Sequence, residues 1–171
     1  MNTAAVYISS IFDPFIMLAV VHIVLLSGSP VFIPAFISMV VVPFVLFVIA
    51  WKTKFISNWD VTNRQERPKL FWPLIAVETI SIMVFRLWII LPLIASMIGF
   101  ALITHVWKIS GHAYAAGLAA GIVIWQFGWQ WWPVLFIVPL VAWGRVVTNN
   151  HTLLHVIAGA VYAWFSVLFM V

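Results

Sequence analysis

The sequence contains no cysteine and very little charge. Without cysteine the chain has no disulfide framework, no thiolate ligand for a metal and no cysteine nucleophile. Only eight basic and four acidic residues occur among 171, whereas 65% of the residues are hydrophobic. Soluble domains are usually about 45–50% apolar, so this composition excludes an ordinary soluble protein. No polar stretch is long enough to fold as a soluble domain of its own.

Charge is also missing from places where some functions need it. No run of basic residues is dense enough to indicate a nucleic-acid partner. No basic residue precedes Lys52, so we do not expect a cleavable signal peptide. Long apolar runs recur along the chain instead, and the mean hydropathy is +1.18. These runs predict an integral membrane protein made of apolar helices.

The predicted fold is all-α, a polytopic transmembrane helical bundle formed by a single domain over residues 1–171. With a rise of about 1.5 Å per residue, the apolar stretch Leu70–Trp107 is too long for one crossing of a bilayer core about 30 Å thick. We therefore divide it into two spans with a break at Arg86–Pro92. The count is seven spans, or six if one segment is re-entrant. The other spans are Ile11–Ser27, Phe32–Trp51, Ala113–Phe127, Trp132–Trp143 and Thr152–Val171.

Small residues and tryptophans indicate how these helices pack and where they end. The run Ala115–Gly121 is mostly alanine and glycine, which predicts a helix face that contacts another helix closely. Tryptophan favours the interface between membrane and water. Eight tryptophans lie near the ends of predicted spans: Trp51, Trp59, Trp72, Trp107, Trp129, Trp131, Trp132 and Trp143.

The stretch Gly144–His155 places an arginine and two histidines in an otherwise apolar region. Such groups are costly at membrane depth and indicate a function. If the stretch is helical, Arg145 and His151 lie about 9 Å apart along the axis, so the arginine can hold phosphate oxygens while the histidine attacks the phosphorus. His155, one turn further on the same face, can orient the ring of His151. The alternative is a histidine pair that bridges helices or binds a metal.

A second polar cluster is Ser110-Gly111-His112, which opens a predicted span. The free N–H groups at a helix N-terminus favour an anion, and the Ser110 hydroxyl can contact a phosphate oxygen. His112 is then placed to protonate a leaving alkoxide as a general acid. The alternative is a serine N-cap followed by a buried histidine.

A third cluster lies in the polar segment Lys52–Lys69, which holds seven of the charged residues. Arg64 and Arg67 are three residues apart and share a face if the segment is helical. The alternative is a solvated interfacial loop in which Asp60 and Glu66 balance the two arginines. Two predicted crossings separate each cluster from the next, so we expect all three clusters at one membrane face.

Taken in order, the three clusters resemble the motifs of the type 2 phosphatidic acid phosphatase superfamily. Members share a lysine, six residues and Arg-Pro; then Pro-Ser-Gly-His; then Ser-Arg, five residues, His, three residues and Asp. Arg67-Pro68 matches the end of the first motif and Ser110-Gly111-His112 matches the second. Arg145 and His151 match the third, and the resemblance covers roughly residues 50–165.

The resemblance implies a helical membrane phosphatase that needs neither a metal nor a cofactor. His151 would be the nucleophile that forms a phosphohistidine, and His112 the general acid for the leaving alcohol. The phosphate would be bound by Arg67, Arg145, Ser110 and the backbone of Gly111.

The chain departs from the family pattern at four positions, and two of these departures matter. Asp60 stands in place of the first-motif lysine, so Arg64 or a nearby lysine would have to supply that phosphate contact. Ile109 replaces the proline of the second motif and Gly144 the serine of the third, and both changes are tolerable. His155 replaces the aspartate; a neutral histidine can fix the tautomer of His151 but cannot stabilise an imidazolium as a carboxylate does. We expect a slower enzyme, recruitment of a nearby acid, or a site that binds phosphate without turnover.

The expected partner is a lipid phosphate whose tail stays in the bilayer, either a glycerolipid or a polyprenyl phosphate or diphosphate. We favour an isoprenoid, because the chain has no large domain to read a headgroup. The expected location is the plasma membrane. The positive-inside rule puts the polar face in the cytoplasm, whereas the resemblance implies the outer face, and the sequence does not choose. It indicates no oligomeric state.

Three other functions are compatible with parts of the pattern. One is a catalytically inactive relative of the phosphatases that binds phospholipid headgroups. Another is prenyl transfer, which is disfavoured because only Asp60 and Glu66 are available near the clusters to hold Mg²⁺. The last is a haem-binding membrane redox protein, whose axial ligands would come from His22, His105, His112, His151 and His155.

Overall fold

The computed structural model describes residues 2–170, and every regular element within them is helical. The all-α fold class predicted from the sequence is therefore confirmed. The chain divides into two compact units, the first formed by Met1–Val24 with Ile109–Val171 and the second by Leu25–Lys108. The single domain expected over residues 1–171 stays a prediction.

Helices of membrane-spanning length confirm an integral membrane protein. Five segments are long and apolar enough to cross a bilayer: Thr3–Leu26, Phe32–Lys52, Arg64–Phe85, Trp88–Val106 and Trp129–Val147. Helices α7 (Gly111–Phe127) and α9 (Leu153–Leu168) are shorter, with 17 and 16 residues. Within the described part of the chain, these seven segments follow the order of the seven predicted spans.

The first segment begins earlier than predicted and is interrupted once. It consists of α1 (Thr3–Ile11) and α2 (Pro14–Leu26). The predicted start at Ile11 is wrong because the Asn2 side chain caps α1 by accepting the backbone N–H of Ala5 at 3.3 Å. The interruption follows from a second cap, since the Asp13 carboxylate accepts the N–H of Phe15 at 2.9 Å.

In the first unit, α7 packs most extensively against α9. Glycines permit this close approach. A Cβ added to Gly117 would lie 2.7 Å from the Ala163 Cβ, and one added to Gly121 would lie 2.7 Å from Val167 Cγ2. The close helix contact predicted from the run Ala115–Gly121 is therefore confirmed.

The same unit contains α8 (Ile137–Val147), which follows a 3₁₀ helix over Trp129–Phe136. The predicted span Trp132–Trp143 therefore begins in 3₁₀ rather than α geometry, and its predicted end lies four residues before the observed end of α8 at Val147. Pro133 lies inside the 3₁₀ helix, where it removes a backbone donor. All eight tryptophans assigned to the interface from the sequence have more than a third of their surface exposed.

The second unit contains α3 (Phe32–Phe36), α4 (Val42–Lys52), α5 (Arg67–Phe85) and α6 (Leu91–Val106). A π-helical turn over Ile37–Val41 joins α3 to α4. Helix α5 ends at Arg86, whose left-handed conformation (φ 56°) stops the helix before a short 3₁₀ turn. The break predicted between the two spans of Leu70–Trp107 is confirmed.

Candidate functional site

The N-terminus of α7 is fixed by a serine at its first capping position. Ser110 is fully buried and has an extended backbone, and its hydroxyl accepts the N–H of Ala113 at 3.3 Å. The Ser110 N–H donates to the backbone carbonyl of His155 in α9 at 3.1 Å. Gly111 is the first helical residue, so its turn supplies backbone donors of the kind that favour an anion. The helix start predicted at Ser110-Gly111-His112 is confirmed. The structure also shows the arrangement given as the alternative to a phosphate site, a serine N-cap followed by a buried histidine.

Helix α9 approaches this N-terminus at a glycine. A Cβ added to Gly159 would lie 2.5 Å from the Ser110 carbonyl oxygen and 3.3 Å from the Ala113 Cβ. Real Cβ atoms essentially never lie under 3.0 Å from such an atom. The absence of a side chain at residue 159 therefore sets how closely α9 rests against the serine cap.

Arg145 and His112 meet in the interior of the first unit. Arg145 lies in the last turn of α8 and is 1% exposed, while His112 lies in the first turn of α7 and is also buried. Their atoms Nη1 and Nε2 are 3.5 Å apart. A guanidinium carries only donors, so in this pairing the imidazole nitrogen accepts. A permanent cation thus lies beside the anion-favouring end of α7.

A tight turn brings His151 back to Arg145. The carbonyl of Arg145 accepts the N–H groups of both Asn150 and His151 at 3.1 Å. Asn149 has a left-handed backbone (φ 56°), and the Thr148 hydroxyl donates to the Gly144 carbonyl at 2.8 Å. The continuous helix assumed for this stretch, with its separation of about 9 Å, is therefore wrong. The local side chains favour a turn, and the turn keeps the buried His151 close to the arginine backbone.

His155 has a structural role that the sequence did not indicate. The Thr152 hydroxyl accepts the N–H of His155 at 3.4 Å, and Nδ1 of His155 accepts the N–H of Thr152 at 3.3 Å. This reciprocal pair is a capping box that starts α9. The His151 and His155 ring centroids are 5.8 Å apart and nearly perpendicular. The two rings are neighbours, but His151 precedes the helix, so the shared helix face expected for the pair is not present.

Arg67 and Arg64 belong to the second unit. Arg67 is buried at the start of α5, and its Nε donates to the carbonyl of Val61 at 3.0 Å. Arg64 lies in a 3₁₀ turn and donates to the carbonyl of Val106. The Glu66 carboxylate accepts the Ser57 N–H at 2.8 Å and holds the preceding loop. The structure therefore gives both arginines firm local partners within that unit.

Sequence reasoning overlooked two features of this region, and only the first of them has a signal in the sequence. Thr152 stands directly before an apolar run, and such a threonine is a common helix start. Ser9 of α1 lies against the backbone of Gly144, and nothing in the sequence around it distinguishes it from its neighbour Ser10. Among residues 2–170, no three histidine, aspartate or glutamate side chains form a metal-binding group. The haem alternative stays a prediction.

Comparison with known proteins gives a similarity over part of the chain. The chain is 44% identical over 62 residues to a protein described as lipid A 4'-phosphatase from Helicobacter pylori (strain J99). The matched segment covers 35% of this chain and 31% of that protein. No family model and no solved structure matches this chain.

Proposed function

We propose that this chain is a membrane lipid phosphatase that hydrolyses a phosphomonoester or diphosphate of a lipid, through a phosphohistidine and without a metal. The observation that carries the proposal is the approach of Arg145 to His112 in the first turn of α7, at 3.5 Å, supported by the backbone hydrogen bond from the His151 N–H to the Arg145 carbonyl. The similarity to lipid A 4'-phosphatase over 62 residues and the membrane-spanning helices support the same class of activity.

The phosphate group would bind between the arginine and the helix end. Arg145 offers planar donors that can hold two phosphate oxygens. Backbone N–H groups at Gly111 and the hydroxyl of Ser110 would contact the remaining oxygens. Arg67 and Arg64 are proposed as further phosphate-binding residues on the strength of the motif resemblance.

The reaction would proceed in two balanced steps. A ring nitrogen of His151 attacks the phosphorus, the P–N bond forms, and the bond from phosphorus to the lipid oxygen breaks. His112 gives its proton to that oxygen, which leaves as the lipid alcohol or, from a diphosphate, as the lipid monophosphate. Water then attacks the phosphohistidine, His112 takes a proton from it, and inorganic phosphate and free His151 result.

His155 is proposed as a positioning residue for His151. Its ring lies edge to face with His151, and its backbone is tied to both Thr152 and Ser110. It lacks the negative charge that would stabilise an imidazolium during attack. We therefore expect a slow enzyme.

The proposed substrate class is supported by the setting of the site in an apolar helical protein. A lipid can keep its tail in the bilayer while its phosphate enters a site at the end of a helix. We propose a glycerolipid or isoprenoid phosphate and favour the isoprenoid. We propose the plasma membrane as the location.

The test is phosphate release by detergent-purified protein in the presence of EDTA. The panel contains phosphatidate, phosphatidylglycerol phosphate, undecaprenyl phosphate and diphosphate, and lipid A. We expect release from at least one lipid, and a loss of at least about a thousandfold in His151→Ala. The matched control is His105→Ala, because His105 lies in the second unit and accepts the Trp72 indole N–H at 3.1 Å. Equal loss in both variants, or no release by the wild type, would contradict the proposal.

A second function is favoured by one observation. The Nδ1 atom of His155 accepts a backbone N–H in a capping box, which is a structural use of the residue beside the proposed nucleophile. This arrangement suits a protein that binds lipid phosphate without hydrolysing it. Binding of phosphatidate vesicles without phosphate release would identify this function.

A further inference from the structure

Val61 has a backbone conformation that valine rarely adopts. Its φ of 44° lies in the left-handed region, where a β-branched side chain is strained. In the described chain the other non-glycine residues with positive φ are exposed and stand at or just after the end of a helix: Lys54, Arg86 and Asn149. Val61 is buried and ends no helix, since it lies in the loop before the 3₁₀ turn Arg64–Glu66. Its conformation therefore needs another reason.

Hydrogen bonds on both sides hold Val61 in this conformation. Its N–H donates to the Asn58 carbonyl at 3.1 Å. The Asn58 side chain binds the next residue, because Oδ1 accepts the Thr62 N–H at 3.1 Å and Nδ2 donates to the Thr62 hydroxyl at 2.8 Å. The peptide that joins Val61 to Thr62 is therefore fixed in direction, and so is the carbonyl oxygen of Val61.

That carbonyl oxygen accepts the Nε–H of Arg67 at 3.0 Å. Arg67 is buried and is the first residue of α5. A guanidinium is planar, so a bond at Nε sets the direction of the edge formed by Nη1 and Nη2, and such an edge matches two oxygens of a phosphate. If Val61 relaxed to an ordinary negative φ, its carbonyl would point elsewhere and the arginine would lose this constraint.

We propose that Val61 is a positioning residue for phosphate binding, whose left-handed backbone aims a carbonyl at Nε of Arg67 and so fixes the guanidinium plane. The inference rests on the proposed function, in which Arg67 binds phosphate, but it does not require turnover. A side chain that is ordered beforehand loses less freedom when its ligand binds, so the constraint raises the affinity for phosphate.

A purely structural role for Val61 predicts a different pattern of losses. If only the packing of its side chain matters, Val61→Gly should weaken phosphate binding as much as Val61→Pro does. Glycine keeps the carbonyl and adopts the left-handed conformation without strain. Proline fixes φ at about −65° and removes the N–H that binds Asn58. In the positioning role, Val61→Gly should therefore bind phosphate as the wild type does, and Val61→Pro should not.

The experiment measures binding of inorganic phosphate to the full chain in detergent, by equilibrium dialysis with radiolabelled phosphate. Val61→Pro is made both in the wild type and in Arg67→Lys, because lysine has no planar group for the carbonyl to orient. We expect Val61→Pro to weaken binding about 3- to 10-fold in the wild type, which is the cost of ordering one long side chain. In Arg67→Lys it should have little further effect.

Asn58→Ala perturbs the same link without a proline and decides the matter if Val61→Pro does not fold. It removes both side-chain bonds to Thr62, so phosphate binding should weaken in the wild type and not further in Arg67→Lys. The matched control Thr53→Ala removes an exposed hydroxyl that bonds only within its own helix turn, and it should bind phosphate as the wild type does. Folding of each variant is followed by its melting temperature.

Each other result has a definite meaning. Equal weakening by Val61→Pro in the wild type and in Arg67→Lys would overturn the inference, and so would a loss in Val61→Gly as large as that in Val61→Pro. Unchanged affinity in Arg67→Lys would overturn it while leaving the proposed site at Arg145 intact. The expected pattern without lipid hydrolysis would contradict the proposed activity and support the inference. No phosphate binding by the wild type would overturn the inference together with the phosphate site.

Discussion

Replacement of Gly159 by alanine tests the contact on which the site geometry depends. The new Cβ would lie 2.5 Å from the Ser110 carbonyl oxygen, whereas real Cβ atoms stay at or beyond 3.0 Å. The start of α7 and the middle of α9 must therefore separate by at least about half an ångström. Both neighbours are backbone or close-packed atoms, so no flexible side chain can relieve the clash.

The expected losses of stability and of activity in Gly159→Ala follow from overpacking and from displacement of the Ser110 cap of α7. Overpacking of this kind costs about 1–3 kcal/mol of stability. A misplacement of about 1 Å in an active site can cost about 10²-fold in rate, so half of that should cost on the order of tenfold. The separation also strains the 3.1 Å bond from the Ser110 N–H to the His155 carbonyl. We expect a lower melting temperature and about a tenfold lower kcat/KM for lipid phosphate.

Two glycine controls separate stability from function. An added Cβ on Gly28 has nothing within 4 Å, so Gly28→Ala should match the wild type in both measurements. Gly117→Ala clashes with Ala163 at 2.7 Å, two turns into α7, so it should lower stability with a smaller loss of activity. The melting temperature is read from the eleven tryptophans, and activity is measured well below it. A Gly159→Ala variant as stable and as active as the wild type would refute the close packing of α9 on the Ser110 cap.

Two further substitutions test the charges around the site. Arg145→Lys removes the planar pair of donors and should lower kcat/KM about 10- to 100-fold in a phosphate-release assay. The control Arg86→Lys, at the exposed end of α5, should leave kcat/KM unchanged. Equal effects of the two substitutions would contradict the role of Arg145. His155→Asp supplies a carboxylate beside His151 and keeps an acceptor for the Thr152 N–H. It should therefore raise kcat and leave the melting temperature unchanged. Abolished activity would show that the third motif is mapped wrongly.

The long-range organisation of the helices could be predicted because it depends on residues with strong local effects. The break after α5 is marked by Arg86 and the nearby Pro92, and the contact of α7 with α9 is marked by Gly117 and Gly121. The start of α7 at Ser110 follows from an ordinary N-cap preference.

The details of the site could not be predicted because apolar composition is nearly uniform across it. Hydropathy does not show where α8 ends, since the turn is decided by the left-handed Asn149 and by two N–H groups that return to the Arg145 carbonyl. The use of His155 in a cap with Thr152 depends on that turn. The contact of Ser9 with Gly144 joins residues 135 positions apart and has no local signal.

The central claim is that His151 carries the phosphoryl group during turnover, and trapping that intermediate tests it most directly. Protein mixed with ³²P-labelled lipid phosphate would be quenched in alkali within milliseconds and digested, and the labelled peptide would be sequenced by mass spectrometry. The account predicts an acid-labile, alkali-stable phosphoryl group on His151, absent from His151→Ala and present in His105→Ala. Phosphate release with no labelled histidine, or with the label on another residue, would contradict it.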